Sequence, residues 1–368
     1  MKLLPSRELP TVAATWKALE ARSGDGTLSS SWEWTDTWLG QYGDAVPHLF
    51  AVGERAGTAC GVALITRSSI RRGLVRINRV NVGTAGEPFG EEVFVEYNRL
   101  LADPEHRDAF AAALLRRLRA LRRWDELCLN GFSAEDIAPL LAAERGFTAN
   151  RVPSPVLDLR PAREGHGDVL ALLPSGTRGR LRRTMRQFGQ VDVEWAQTPA
   201  QALDVLEELI VLHQRRWTAV GSAGVFASSR FTAFHRELIQ RLHRKGAVVL
   251  FRARVGSDTL GCLYGFVERG RLLFYQSGFA SFADNRLKPG LAVHALCMEE
   301  CLRRGIHEYD FLAGDARYKR ELASGEETLV WAVLRRGRLK WGALDAMLAA
   351  RVQMRRLDPR AHGGDPQR

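Results

Sequence analysis

The segment from Glu308 to Lys319, EYDFLAGDARYK, holds acids, a tyrosine and a lysine in and directly after a short apolar run. The apolar positions predict a buried strand, so the polar groups lie at the carboxyl end of that strand. In α/β proteins this end of a strand is where ligands and chemistry concentrate. The polar residues concerned are Asp310, Asp315, Tyr318 and Lys319.

These residue types suit the transfer of an acyl group to an amine or hydroxyl. A carboxylate such as Asp310 or Asp315 can take the proton of the attacking group. Tyr318 can protonate a leaving group, and Lys319 can stabilise an oxyanion or phosphate as a compact cation. Alternation along the strand predicts that Asp310 faces the side opposite Tyr309 and Phe311, where it either lines an open cleft or is a structural aspartate that caps a turn or pairs with an arginine. A capping or paired aspartate is the simpler interpretation of Asp315, which follows Gly314.

The elements that position this segment occur twice along the chain. Residues 47–67 and 247–278 each predict strands separated by glycine turns. Residues 109–132 and 291–314 each predict a helix followed by a strand. Each half therefore has the order hairpin, strand, helix, strand, and we expect the strands before and after each helix to be parallel neighbours.

Two further helices precede the second copy. Residues 173–190 carry an apolar stripe with five arginines mostly outside it, among them Arg182 and Arg183. These arginines predict either an anion-binding groove or a solvated face. A second helix from Pro199 to Val220 includes Trp217, which can be a stacking platform or a core or interface residue.

Composition limits the class of protein. The chain has 368 residues, 45% of them apolar, and a formal net charge of +11. The charge favours an anionic partner, either a phosphorylated cofactor, RNA or an acidic membrane surface, although arginine-rich codon bias explains it equally well. The sequence has neither a signal-like apolar region nor a run of about 20 apolar residues, which predicts a cytoplasmic protein without a membrane span.

Searches for other chemistry are negative. The five cysteines form no CxxC pair, and no set of cysteine and histidine has zinc spacing, so we expect no metal. The sequence also lacks a P-loop, HExxH and GxSxG.

Several short motifs carry a family resemblance. They are HQRRW at residues 213–217, FYQSGF at 274–279, Pro289-Gly290, Gly305 and YDFLAGDARYK at 309–319. In this order they resemble the Gcn5-related N-acetyltransferase (GNAT) superfamily. The nearest branch comprises cellulose-biosynthesis-associated acetyltransferases related to Fem-type peptidyltransferases, which carry two such domains in tandem.

The resemblance implies an α/β (α+β) fold of two tandem GNAT-like domains, each a mixed, centrally splayed sheet flanked by helices. Residues 1–152 would be a non-catalytic first domain and residues 153–345 the acyltransferase domain. Residues 346–368 form a polar tail that we expect to be disordered.

The resemblance also implies acetyl-CoA or another acyl-CoA as donor, held where two parallel strands part. Tyr275 and Ser277 lie on one of these strands, although ordinary strand alternation also explains them. The donor's pyrophosphate would lie near Arg286, Lys288 and Gly290, where the free N–H groups of a helix start attract anions. The alternative is a plain helix start with solvated cations.

The acceptor implied is an amine or hydroxyl of a small molecule or saccharide precursor. In this interpretation Asp310, Tyr275, Tyr318 and Lys319 are catalytic. The substrate-binding residues are then Arg182, Arg183, Trp217 and Asp315.

Two other functions stay open. The family's donor fingerprint has Gln or Arg three residues before its first glycine, and this chain has Leu287 at that position before Gly290. This departure and the basic charge favour transfer of an aminoacyl group from tRNA, as in Fem-type relatives. A non-catalytic protein that binds nucleic acid or polysaccharide on the same fold is the third possibility.

Overall fold

The computed structural model describes residues 1–165, 167–284, 286–342 and 344. The predicted tail, 346–368, lies outside these residues. The strands are β1 (Lys2–Pro5), β2 (His48–Arg55), β3 (Thr58–Arg72), β4 (Val75–Val82), β5 (Leu101–Ala102), β6 (Glu126–Ser133), β7 (Phe147–Asp158), β8 (Asp192–Trp195), β9 (Val248–Val255), β10 (Asp258–Glu268), β11 (Arg271–Phe279), β12 (Glu308–Asp310) and β13 (Gly325–Arg335). The helices are α1 (Leu9–Ser23), α2 (Trp32–Tyr42), α3 (Arg107–Ala120), α4 (Ala134–Ala143), α5 (Arg160–Glu164), α6 (Ser175–Phe188), α7 (Pro199–Ala219), α8 (Ser229–His243), α9 (Pro289–Arg303) and α10 (Arg317–Leu322).

The predicted repeat of hairpin, strand, helix and strand is confirmed. β4 and β6 are parallel neighbours across α3, and β11 and β12 are parallel neighbours across α9. The turns after β2 and β10 have positive φ at both central residues, Ala56-Gly57 and Arg269-Gly270. Two-residue turns of this kind match the twist of the strands they connect, and glycine adopts them without strain.

The strands form one mixed sheet whose order is β1-β2-β3-β4-β6-β13-β7-β12-β11-β10-β9-β8, with β5 beside β3. The last strand of each half pairs with the other half: β13 lies against β6, and β7 lies against β12. β7 and β13 then pair antiparallel with each other at the centre. The two predicted sheets are therefore joined, and the predicted boundary after residue 152 falls inside β7.

One face of the sheet has a core shared by both halves. Trp34 of α2 contacts Phe234 of α8 with ring centroids 5.2 Å apart, and it also contacts Phe266 of β10. Ser31 and Ser228 cap α2 and α8 by accepting a backbone N–H, so the two helices start in the same way. On the other face, α3 and α4 cover the first half, whereas α6 and α9 cover the second.

The strand exchange predicts cooperative unfolding. Leu329 of β13 is fully buried in the shared core, so Leu329→Ala should lower the free energy of unfolding by about 2–5 kcal/mol. We expect a single transition in chemical denaturation, with tryptophan fluorescence and circular dichroism coinciding, because β13 belongs to both halves. Val220→Ala, at a 71% exposed position, is the matched control and should change stability by less than about 0.5 kcal/mol. Two separated transitions would contradict this account.

Candidate functional site

The parallel pair β11 and β12 parts at Asp310. Pairing with β12 covers Arg271–Leu273 of β11, and β11 then continues to Phe279 paired with β10 but not with β12. Residues 312–313 form a short strap immediately after β12. Leu312 has φ of 58°, which is a sparsely populated conformation for a branched residue and is maintained only when the surroundings enforce it.

Hydrogen bonds from several segments hold the strap. The Leu312 N–H donates to Asp310 Oδ1 at 2.7 Å, and the Ala313 N–H donates to Glu96 Oε1 at 3.1 Å. Lys319 Nζ donates to the Leu312 carbonyl at 3.0 Å and to the Ala313 carbonyl at 2.8 Å. Both N–H groups therefore contact carboxylates and both carbonyls contact one ammonium group, which fixes the strap in its strained conformation.

Asp310 is 0% exposed, so of its two interpretations the open cleft is wrong, and the aspartate that caps a turn and pairs with an arginine describes its contacts. Its carboxylate accepts hydrogen bonds from Tyr97 Oη at 2.5 Å and from Ser154 Oγ at 2.8 Å, and it lies 3.3 Å from the Arg271 guanidinium. Burial raises the pKa of Asp310, against the lowering effects of Tyr97 and Arg271. With these contacts and the Leu312 N–H, Asp310 positions the strap and does not face solvent.

Arg271 is the centre of a cluster of acids. Its guanidinium also pairs with Glu308 and Glu327, and it lies 5.1 Å from the centre of the Tyr97 ring. The cluster has more carboxylates than cations, and burial raises the pKa of Glu308 as well.

Glu96 is the acid that accepts the Ala313 N–H, and the sequence analysis missed it. Burial raises its pKa to about 7, Lys319 opposes this rise and Asp310 adds to it. Burial also lowers the pKa of Lys319, against the carboxylates of Glu96 and Asp310. A carboxyl group that titrates near neutrality is suited to general base catalysis. Glu96 lies in a loop of the first half, which was expected to be non-catalytic. In the sequence, the one indication of its role is that an acid stands between Val95 and Tyr97 in an apolar run.

Tyr318 and Tyr275 lie on either side of the strap. The Tyr318 ring stacks on His294, with centroids 5.5 Å apart, and burial raises the pKa of Tyr318 to about 12. The Tyr275 hydroxyl is buried beside the Phe94 backbone without a well-aligned hydrogen bond. Burial, and next the charge of Glu96, raise the pKa of Tyr275 well above its ordinary value. A cavity of about 20 Å³ has Glu96, Tyr275 and Phe94 in its lining, which is room for about one water molecule.

The predicted donor residues surround the start of α9. Arg286 and Lys288 are exposed, and Arg286 pairs locally with Asp284 at 2.9 Å. A Cβ placed on Gly290 would come within 3.2 Å of the Phe279 ring, so glycine permits α9 to pack against β11 there. Ser277 lies on the part of β11 beyond the end of its pairing with β12. The arrangement leaves two cations at the amino terminus of a 15-residue helix, as an anion site requires.

The four predicted substrate-binding residues do not converge on the strap. Arg182 lies 3.5 Å from Asp168, and Arg183 is exposed on α6. Asp315 is exposed and pairs with Arg320. Trp217 is 41% exposed on α7, beside His213. They lie on surfaces around the site, and their binding roles stay predictions.

A groove of about 1010 Å³ lies over β4 and β6 in the first half. Its floor includes Arg79, Asn81, Cys128 and Asn130, and residues 84–89 and 92–95 line one wall. Trp38 Nε1 anchors this wall by donating to Glu87 Oε1 at 2.6 Å. Phe94 lines both this groove and the small cavity that Glu96 lines, so the two adjoin at Phe94.

Within the described part of the chain, no group of three or more potential metal ligands was found. Among the same residues, no helix has the length and apolar character needed to cross a bilayer.

Residues 175–320 match the family model of the acetyltransferase (GNAT) domain. No curated protein matches the sequence of the chain. Among solved structures, FemX has a TM-score of 0.57 at 10% identity, covering 91% of this chain and 98% of FemX. L-PGS from Bacillus licheniformis has a TM-score of 0.53 at 12% identity, covering 91% of this chain and 96% of the other.

The C-terminal domain of a lysylphosphatidylglycerol synthetase from Agrobacterium fabrum has a TM-score of 0.51 at 12% identity, covering 93% of this chain and 96% of that domain. At such identities the likeness establishes the fold. The chain thus has a mixed α/β fold of the GNAT type, with the matched domain extending from α6 into α10.

The pKa of Glu96 predicts a pH dependence of stability. Between its ordinary value of 4.5 and about 7, the folded state binds more protons at Glu96 than the unfolded state does. The free energy of unfolding of the wild type therefore falls as pH rises through this window, and Glu96→Gln removes that fall. From about pH 4.5 to about pH 8, urea denaturation should show the variant gaining on the order of 3 kcal/mol relative to wild type. Parallel stability profiles for the two proteins would exclude a raised pKa at Glu96.

Proposed function

We propose that this protein is an acyltransferase that transfers an acyl group, most simply acetyl, from acyl-CoA to an amine or hydroxyl. The observation that carries the proposal is that Glu96 and Lys319 both contact Ala313 of the strap, where β11 and β12 part. A base with a pKa near neutrality and a cation lie on one backbone segment at the carboxyl end of a strand. The match of residues 175–320 to the acetyltransferase domain supports the same reaction.

Each residue at the strap has a step in this reaction. Glu96 accepts the proton of the acceptor as its nitrogen or oxygen attacks the acyl carbonyl carbon. The new C–N or C–O bond forms, the C–S bond breaks, and the departing sulfur takes a proton from Tyr318, whose high pKa keeps the hydroxyl protonated before this step. Glu96 afterwards releases the proton that it accepted to solvent. Tyr318 then regains a proton from solvent.

Lys319 can stabilise the oxyanion. Its ammonium group has three N–H donors, and two of them are used by the Leu312 and Ala313 carbonyls. The third is free to donate to the developing negative charge in a position that the strap determines. Such a preorganised donor contributes about 3 kcal/mol to transition-state stabilisation.

The acceptor is proposed to occupy the groove over β4 and β6. The groove shares Phe94 with the cavity that Glu96 lines, and its floor carries amide, guanidinium and thiol groups, which suit a hydroxyl-rich or amino-bearing molecule such as a saccharide precursor. This acceptor class agrees with the resemblance to cellulose-biosynthesis-associated acetyltransferases. Asp310 acts as a positioning residue through the Leu312 N–H.

A second candidate donor is an aminoacyl-tRNA. Leu287 occupies the position at which the CoA fingerprint has Gln or Arg. Arg183 is an exposed cation on α6, and the last residue of this helix, Phe188, contacts Phe282 of the loop before α9. The similarity in fold to FemX over 91% of the chain agrees with this donor. The chemistry at the strap is the same for a thioester and for the ester of an aminoacyl-tRNA.

Thermal denaturation with each donor distinguishes the two candidates. A ligand at about 100 times its dissociation constant adds about 2.7 kcal/mol to the free energy of unfolding. We expect acetyl-CoA to stabilise the wild type and the Arg182→Ala/Arg183→Ala variant, and to have little effect on Arg286→Ala/Lys288→Ala. The contrary result is that only tRNA stabilises the wild type, that salt reduces this stabilisation, and that Arg182→Ala/Arg183→Ala loses it. The donor would then be an aminoacyl-tRNA and not acyl-CoA.

Substitutions at the strap test the catalytic roles. With acetyl-CoA and a set of amino sugars as acceptors, release of free thiol should fall at least about 100-fold in Lys319→Ala and in Glu96→Gln. The wild-type rate should rise with pH up to about 7 as Glu96 ionises, and Glu96→Gln should lose this limb.

Glu207→Gln, which alters an exposed ion pair with Arg236, is the control and should leave the rate unchanged. Full activity in Lys319→Ala would show that the reaction does not take place at the strap. Ligand binding without acyl transfer by the wild type would favour the non-catalytic function.

A further inference from the structure

Two leucines project from one end of the first half. Leu74, at the turn between β3 and β4, is 98% exposed, and Leu339, just after β13, is also 98% exposed. Lys340 Nζ donates to the Arg76 carbonyl at 2.9 Å, which brings the two segments together. Because these two aliphatic side chains are fully solvated, they bury no apolar area and do not stabilise the fold.

The surroundings of these leucines are strongly basic. Residues 71–76, 119–126 and 335–340 contain ten arginines and lysines and only two acids. Both acids, Asp125 and Glu126, have side chains no more than 6% exposed and are already paired with cations. Among the described residues, Arg71, Arg76 and Arg123 form no ion pair. We name these three segments, with Leu74 and Leu339, the basic end.

We propose that the basic end docks on an anionic phospholipid bilayer, with the leucines entering the interface and the arginines contacting lipid phosphates. Each cation near an anionic leaflet contributes about 1 kcal/mol. A leucine fully removed from water contributes about 1.5–3 kcal/mol. The combination binds a bilayer reversibly without a membrane-spanning segment.

The side chains favour a bilayer over RNA. Single-stranded nucleic acid binds to aromatic platforms on which its bases stack. The two tryptophans of this end are covered by arginines: the Arg336 guanidinium lies 4.1 Å from the Trp124 ring and the Arg335 guanidinium lies 4.7 Å from the Trp341 ring. Exposed leucines contribute nothing to phosphate contacts, whereas they match the hydrocarbon boundary of a membrane.

The position of the basic end relates it to the groove over β4 and β6. Arg71, Arg76 and Arg123 also line that groove. A bilayer against the basic end therefore lies at the groove opening, where a substrate at the membrane surface can enter. The docking itself does not depend on the proposed reaction and is measurable without it.

Sedimentation with lipid vesicles tests the docking. We expect the full chain to bind vesicles with about a quarter phosphatidylglycerol in phosphatidylcholine, to bind pure phosphatidylcholine poorly, and to dissociate as salt rises. Leu74→Ser/Leu339→Ser should weaken binding by at least about tenfold at low salt. Arg71→Gln/Arg76→Gln/Arg123→Gln should weaken it similarly and flatten the salt dependence.

Val211→Ser/Val220→Ser is the matched control, because these positions are 50% and 71% exposed and lie on or after α7. It should bind as the wild type does. All variants change exposed side chains and should keep the wild-type unfolding midpoint, which verifies that they are folded.

Three outcomes overturn the proposal. The first is absence of vesicle binding, or equal binding to neutral and anionic vesicles. The second is that the leucine variant still binds vesicles, while tRNA binds the wild type and the leucine variant but not the arginine variant. This result would assign the basic end to RNA. The third is that the wild type forms an oligomer, whereas the leucine variant is monomeric and binds lipid as the wild type does. This result would assign the surface to a second copy of the chain.

Discussion

The buried carboxylate of Asp310 is the interaction on which the rest of the site depends. A charge that is 0% exposed must be paired and hydrogen-bonded, and the loss of one partner of such a group destabilises a protein by about 3–5 kcal/mol. The partners of Asp310 come from four segments: Tyr97 from the first-half loop, Ser154 from β7, Leu312 from the strap and Arg271 from β11. The carboxylate of Asp310 therefore fixes the positions of the first-half loop, β7 and the strap relative to one another.

The strand exchange explains why these segments meet. Because β7 leaves the first half to pair with β12, it brings Ser154 beside Asp310. Because β13 crosses in the opposite direction, it places Glu327 against Arg271. Burial of Glu96 beside these segments raises its pKa, Lys319 limits that rise, and the charge of Asp310 adds to it. The first half thus supplies the proposed base and the second half supplies the cation, so neither half has a complete site.

Much of the fold could be predicted because its signals are local. Glycine turns and apolar periodicity identify the hairpins and the helix before β12, and their repetition reveals two equivalent halves. The exchange of β7 and β13 could not be predicted, because alternation along GEETLVWAVLR indicates a strand without indicating its neighbours. For the same reason the sequence leaves an open cleft and a structural role equally available to Asp310: alternation gives the face of the sheet but not what covers it. Glu96 was missed because its pKa depends on groups more than 200 residues away in sequence, such as Ala313 and Lys319.

The central claim is that acyl transfer occurs at a site made jointly by both halves, at the strap. A crystal structure of the protein with acetyl-CoA tests it most directly. The account predicts that the pyrophosphate lies at the start of α9 near Arg286 and Lys288. It also predicts that the acetyl carbonyl lies within hydrogen-bond reach of Lys319 Nζ, about 3 Å away, with Glu96 on the acceptor side. Acetyl-CoA bound in the groove over β4 and β6, or with its acetyl group remote from the strap, would contradict it.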